Sequence, residues 1–157
     1  MLLDSDALIK ISKAEFLDEI AKNFNVLITN EVYNEAVTEG KRGFYQDADK
    51  IEKLVKDRRI GIIKSGYKKK KPKQSFGAGE ASIFHVYRKN SIIVTDDLSF
   101  ASYIKKNGMQ VISPANLLVI LFKKNKLSKS EAYNCLERLK PFIRKELYEI
   151  VKKDLGG

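Results

Sequence analysis

Five short apolar segments recur along the chain: Leu2-Leu3 before Asp4, Val26 to Thr29, Ile60 to Ile63, Ile92 to Thr95, and Val111-Ile112. Most lead into a stretch whose apolar residues repeat at helical spacing. A strand, a helix and then another strand place the two strands parallel, because a parallel neighbour is reached only by a crossover connection. The expected architecture is α/β, a central parallel sheet flanked by helices. After the first strand, Leu8, Ile11, Phe16, Leu17 and Ile20 read as one amphipathic helical stretch. Asn30 stands where it would cap a helix carrying Val32, Glu35 and Ala36. Residues 40–43 break that helix, Ala48, Ile51, Leu54 and Val55 mark another, and Ile60 to Ile63 reads as an edge strand. Helices are expected over 80–89 and 99–106.

From Pro114 the pattern is wholly helical. Leu117, Leu118 and Leu121 share a face, and Ser128-x-x-Glu131 is a capping box opening a helix with Ala132, Cys135, Leu136 and Leu139 on its stripe. Pro141 restarts the chain, and Phe142, Ile143, Leu147, Ile150 and Val151 form a last apolar face. That surface suits covering the sheet's flank, or a second copy in a homodimer.

At 157 residues the chain fits one domain, and 43% hydrophobic with 32% charged residues excludes the composition of a disordered chain. The longest apolar run, Leu117 to Phe122, is too short to cross a membrane. Asp4 and Asp6 interrupt the first apolar residues, so no secretory signal is read and a cytoplasmic location is expected. Cys135 is the only cysteine, which excludes an intrachain disulfide. The formal charge of +10 favours polyanionic partners such as RNA or ribosomes. Much of it lies in Lys68, Lys69, Lys70, Lys71 and Lys73, inside a stretch broken by Gly66, Pro72, Gly77 and Gly79. This is read as a mobile loop, either gripping phosphates or simply solvated. Tyr67 and Phe76 flank the lysines, to stack on bases or to anchor the loop.

In open α/β sheets ligands gather beyond the carboxyl ends of the strands. Asp4 follows the first strand, and Asp96 and Asp97 follow the strand ending at Thr95. Each could instead cap the next helix, but one cap needs one carboxylate, and a second beside it is repelled unless a cation is near. Glu35 and Glu80 lie among small or apolar residues, with Glu31 one turn from Glu35 and competing with it. Glu80 also reads as a first-turn acid complementing the helix dipole. His85, the only histidine, falls about 140° round the helix from Glu80, so the two share no face.

The blocks Leu-Leu-Asp-Ser-Asp-Ala-Leu-Ile at the start, Val-Tyr-Asn-Glu-Ala-Val at 32–37, Gly-Ala-Gly-Glu-Ala-Ser at 77–82 and Ile-Val-Thr-Asp-Asp-Leu-Ser-Phe at 93–100 resemble, in order and spacing, the PIN-domain family. The likeness is to its prokaryotic members, which include VapC-type toxins. It covers residues 1–122, leaving 123–157 as a helical extension packed on the same domain. The resemblance implies a ribonuclease in which Asp4, Glu35, Glu80 and Asp97 are the catalytic, metal-binding acids, with Asp96 a further ligand and Thr95 orienting the site. It implies Mg²⁺ or Mn²⁺ as cofactor, RNA as substrate and an antitoxin protein as a candidate partner. Asp6 departs from the family's small polar residue at that position. Hard cations take oxygen ligands, and bound ions could acidify water for in-line attack on phosphorus. The competing readings are a noncatalytic RNA- or ribosome-binding module, and a phosphoryl-accepting receiver, whose paired acids would follow the first strand and not a late one.

Overall fold

The computed structural model describes residues 1–66 and 76–157. The basic run Lys68, Lys69, Lys70, Lys71 and Lys73, with Tyr67, lies outside the described residues. Strands β1 (Leu2–Leu3), β2 (Val26–Thr29), β3 (Ile60–Ile63), β4 (Ile92–Val94) and β5 (Gln110–Ile112) form one sheet in the order β3-β2-β1-β4-β5. Every pairing is parallel, with Leu2 opposite Leu27 and Ile93, and Leu3 opposite Val94. β1 lies in the middle, covered on both faces, which is why Leu2 and Leu3 are both buried. From β1 the chain moves outward to β2 and β3, then returns to β4 beside β1 and moves the other way to β5. The sheet therefore reverses direction between β1 and β4, and such a switch point opens a crevice at the carboxyl ends of those two strands.

The first helical stretch is two helices, α1 (Ser5–Lys13) and α2 (Leu17–Asn23). The single helix expected from the apolar spacing is interrupted at Glu15, which adopts a left-handed φ of 64° and turns the chain so that Phe16 enters the core. After β2, the cap is Thr29 and not Asn30: the Thr29 hydroxyl accepts from the Val32 amide, while Asn30 becomes the first helical residue and its Oδ1 accepts from Ser65 N. The helix runs as α3 (Asn30–Tyr33), a π-helical turn (Asn34–Thr38) and α4 (Glu39–Arg42), before α5 (Gln46–Lys56). Beyond β3, α6 spans Ala78–Val86 and α7 spans Leu98–Lys106. The expected helix over 80–89 begins two residues earlier and stops at Val86, where Tyr87 takes up an extended ψ. Phe76 packs against Phe100 and Tyr103, with ring centroids 5.3 and 4.9 Å away, so it is anchored to the fold.

The chain ends in α8 (Pro114–Lys123), α9 (Lys129–Leu139), a 3₁₀ turn (Lys140–Phe142) and α10 (Lys145–Asp154). The capping box forms: Glu131 N donates to Ser128 Oγ at 3.2 Å, and Ser128 N to Glu131 Oε2 at 2.7 Å. Leu136, Leu139, Tyr148 and Val151 join the same hydrophobic cluster as Leu2, Ile28 and Ile93. Among the described residues, no helix is long and apolar enough to cross a membrane.

Candidate active site

A cleft of about 810 Å³ opens at the switch point between β1 and β4, and Asp4, Glu35, Glu80, Asp96 and Asp97 all line it. Thr95 lies buried beneath it. Carboxylates from four separate stretches of chain are thus brought together, as the sequence leads one to expect. The capping alternative is realised at the same time. Asp4 caps α1, its Oδ1 accepting from Ala7 N at 2.7 Å, and Asp97 caps α7, its Oδ1 accepting from Phe100 N at 2.7 Å. Capping and facing the cleft are therefore compatible: one oxygen holds the helix amide and fixes the orientation of the other.

Glu35 and Glu80 are held in the same manner. Glu35 Oε1 accepts from Gly79 N at 3.0 Å and its Oε2 from Ser5 Oγ at 2.7 Å, while Glu80 Oε2 accepts from Gly77 N at 3.3 Å. Glu35 is the second residue of the π-helical turn, whose wider hydrogen bonding changes the phase of the helix just where the side chain must reach the cleft. Glu31, its competitor, points elsewhere and accepts from Ser65 Oγ at 2.6 Å. Gly79 is required by this contact, since a Cβ there would stand 2.7 Å from Glu35 Oε2.

Thr95 Oγ1 donates to Asp4 Oδ2 in a short hydrogen bond and accepts from Asp97 N at 3.2 Å, so one buried hydroxyl ties the end of β1 to the end of β4. A second hydroxyl relay sets α6. Ser82 Oγ donates to Gly79 O at 2.6 Å, which leaves Thr29 Oγ1 as donor in the 2.7 Å contact between Thr29 and Ser82.

The electrostatics follow from crowding acids in a partly dry cleft. Burial pushes Asp4 up to about 7, against the lowering effect of its bonds from Thr95 and Ala7, and the nearby charges of Asp6 and Glu80 raise it further. Burial also raises Glu80, opposed by its Gly77 bond and reinforced by Asp97, Glu35 and Asp6. Among the described residues, the cation seated among these acids is the half-buried Lys10. Its Nζ lies 2.8 Å from Asp6 Oδ2 and 2.9 Å from Asp96 Oδ2, with 17% of the side chain exposed. Burial works against that ammonium, yet the bonds to Asp6 and Asp96 hold its pKa above the ordinary lysine value. Asp6, the family departure, is thereby matched by a lysine one turn along the same helix.

Sequence reasoning assigned no place in the cleft to Lys10, Ser5 or Arg144, and read Phe142 only as part of the last apolar face; Arg144 and Phe142 line the cleft from the far end of the chain. The spacing of four between Asp6 and Lys10 was the available signal for the first; nothing local marks the others. His85 does not line the cleft and lies exposed on α6.

The donor set suits a hard divalent cation. It is made of carboxylate oxygens, and burial, with neighbouring acids adding to it, raises Asp4 and Glu80 by disfavouring an ionised form that a cation would stabilise. Among the described residues, no three His, Cys, Asp or Glu side chains already stand as a closed ligand group. The acids ring the cleft, each fixed through a backbone amide. Neither a curated protein nor a solved structure matches the chain. A family model described as a PIN domain matches residues 1–156, from the strand that leads into Asp4 through the last helix. With the five-stranded parallel sheet and its acidic crevice, that match means the chain belongs to the PIN-domain family.

Proposed function

We propose that the protein is a divalent-metal-dependent endoribonuclease, cutting phosphodiester bonds of RNA by attack of water on phosphorus and release of the leaving oxygen. The observation that carries this reading is the gathering of Asp4, Glu35, Glu80 and Asp97 round one crevice. These four residues would hold Mg²⁺ or Mn²⁺, which when bound supplies positive charge for the phosphate and acidifies water. Asp96 is the weaker ligand, because Lys10 already neutralises it. Thr95 orients Asp4 by donating to the oxygen that the α1 cap leaves over. The amides of Ala7, Gly79, Gly77 and Phe100 keep the carboxylates from turning away. The order of the four acidic blocks favours a VapC-type toxin as the biological setting, with an antitoxin as partner.

A noncatalytic RNA-binding module on the same fold is favoured by one feature, the protein cation Lys10 already seated among the acids. Cleavage of single-stranded RNA, followed with Mg²⁺ or Mn²⁺, with EDTA, and with Asp4→Asn, separates the two. Asn is isosteric and still accepts from Ala7 N, so the variant is expected to fold and to lose at least a hundredfold in rate, roughly the scale of a lost catalytic group. Undiminished cleavage by Asp4→Asn removes the metal-site reading, and tight RNA binding without turnover in either metal selects the binding module.

A further inference from the structure

We propose that the acidic cleft continues into a basic annex, built from Arg144 and Lys105, that holds a phosphate of single-stranded RNA next to the one in the cleft. The nuclease reading supplies what happens in the cleft; the binding does not depend on turnover. A second depression of about 210 Å³ shares Asp96, Leu98 and Arg144 with the cleft, so the two adjoin along those residues. Past those shared residues the second depression is lined by Lys105 on α7 and by Ser113 and Asn116 at the start of α8.

The charge across the two depressions is polarised. At one end stand Asp4, Glu35, Glu80 and Asp97, where a phosphate is repelled unless a metal intervenes. At the other, Asp96 is the sole acid among the described lining residues, and Lys10 already occupies it. Arg144 and Lys105 make no ion pair among the described residues, so their charge is available to a ligand. The backbone of Arg144 is fixed in place. This arginine is the N-cap residue of α10, its carbonyl accepting from Tyr148 N at 3.0 Å, and it lines both depressions from that anchored backbone position. A planar guanidinium gives two parallel donors that match phosphate oxygens.

Between the two ends Leu98 is 59% exposed, and Phe142 at the rim of the cleft is 38% exposed. Apolar shelves beside cations are what a strand with unpaired bases can use, since each base presents a flat face to pack while its phosphate is held. An acidic peptide would meet the cations but gain nothing from the carboxylate end. A strand carrying a phosphate on every unit matches both ends, one through metal and the next through Arg144 and Lys105.

The test is binding of a fluorescently labelled single-stranded oligoribonucleotide by anisotropy, with Ca²⁺ in place of Mg²⁺ or Mn²⁺ to neutralise the acidic end through the same oxygen ligands and the strand checked intact by gel, over a series of salt concentrations. Arg144→Ala and Lys105→Ala are each expected to weaken binding about tenfold and to reduce the slope of log K against log salt by about 0.7 for each phosphate left without its cation. Lys126→Ala, at the opposite end of α8, controls for bulk charge and is expected to change neither; melting curves of all three establish that they fold. The annex is overturned if Arg144→Ala and Lys105→Ala behave like Lys126→Ala, or if the wild-type chain binds no RNA. If binding depends on both residues but Mg²⁺ or Mn²⁺ never brings cleavage, the annex stands and the nuclease reading falls.

Discussion

Asp4 carries the heaviest load of any single residue. It follows β1, caps α1, bonds Thr95 and faces the cleft, at 3% exposure. An acid raised from 3.8 to about 7 binds its proton more tightly folded than unfolded, so it favours the folded state below pH 4 and loses that contribution as pH rises through 7. A shift of about three units corresponds to an energy on the order of 4 kcal/mol. In a chelating buffer, the melting temperature is therefore expected to fall between pH 4 and 8, with Glu80 pulling the same way. Asp4→Asn should flatten that fall. Added Mg²⁺ should recover more stability at pH 8 than at pH 5, because only the ionised carboxylate gains from a cation. Differential scanning fluorimetry across pH, with and without metal, measures each part; a wild-type curve flat in EDTA would refute it.

Elements matter here chiefly for how their ends are aimed. The start of α6 and the π-helical turn meet at Gly79, whose amide donates to Glu35 and whose missing side chain makes room for it. Gly79→Ala puts a methyl against the far end of a flexible side chain, so the fold can adapt, and alanine in a helix regains about 1 kcal/mol of propensity over glycine. Stability is expected to stay within about 1 kcal/mol of wild type, while RNA cleavage drops at least tenfold as Glu35 is pushed off its amide. Thermal melts paired with rate measurements on the same preparation separate the two effects. Equal loss of both would mean Gly79 serves packing alone. Such junctions were only partly legible. The capping box at Ser128 and the strand alternation are local patterns and could be read directly, whereas the break at Glu15 and the π-helical turn arise from how neighbouring helices pack, which spacing along one segment does not reveal.

At the scale of the whole molecule, the last helices are part of the fold and part of the cleft. Leu136, Leu139, Tyr148, Val151 and Leu155 are buried in the one cluster that includes β1. Each large apolar side chain buried contributes roughly 1.5–3 kcal/mol, against a total stability of about 5–15 kcal/mol. A chain ended at residue 122 is expected to lose cooperative unfolding and to bind a hydrophobic dye such as ANS, as well as losing the Arg144 rim. A sharp, wild-type-like melting transition in the truncated chain would contradict this. The family match spans residues 1–156, including these helices.

What the sequence by itself determined is whatever depends on neighbours along the chain. Apolar runs between helical stretches imply a parallel sheet, and an acid just past a strand is delivered to that strand's carboxyl end wherever the strand lies. Asp4, Asp96 and Asp97 were therefore legible as residues of one edge before any topology was known. Only the tertiary structure decided that β1 and β4 are adjacent, so that their acids face a single crevice. It also decided that Glu35 and not Glu31 reaches that crevice, that Lys10 engages Asp96, and that Arg144 from the far end of the chain forms its rim. Those outcomes depend on side chains meeting across dozens of residues, and such meetings are set by packing geometry, which leaves no periodic trace in the segments it joins.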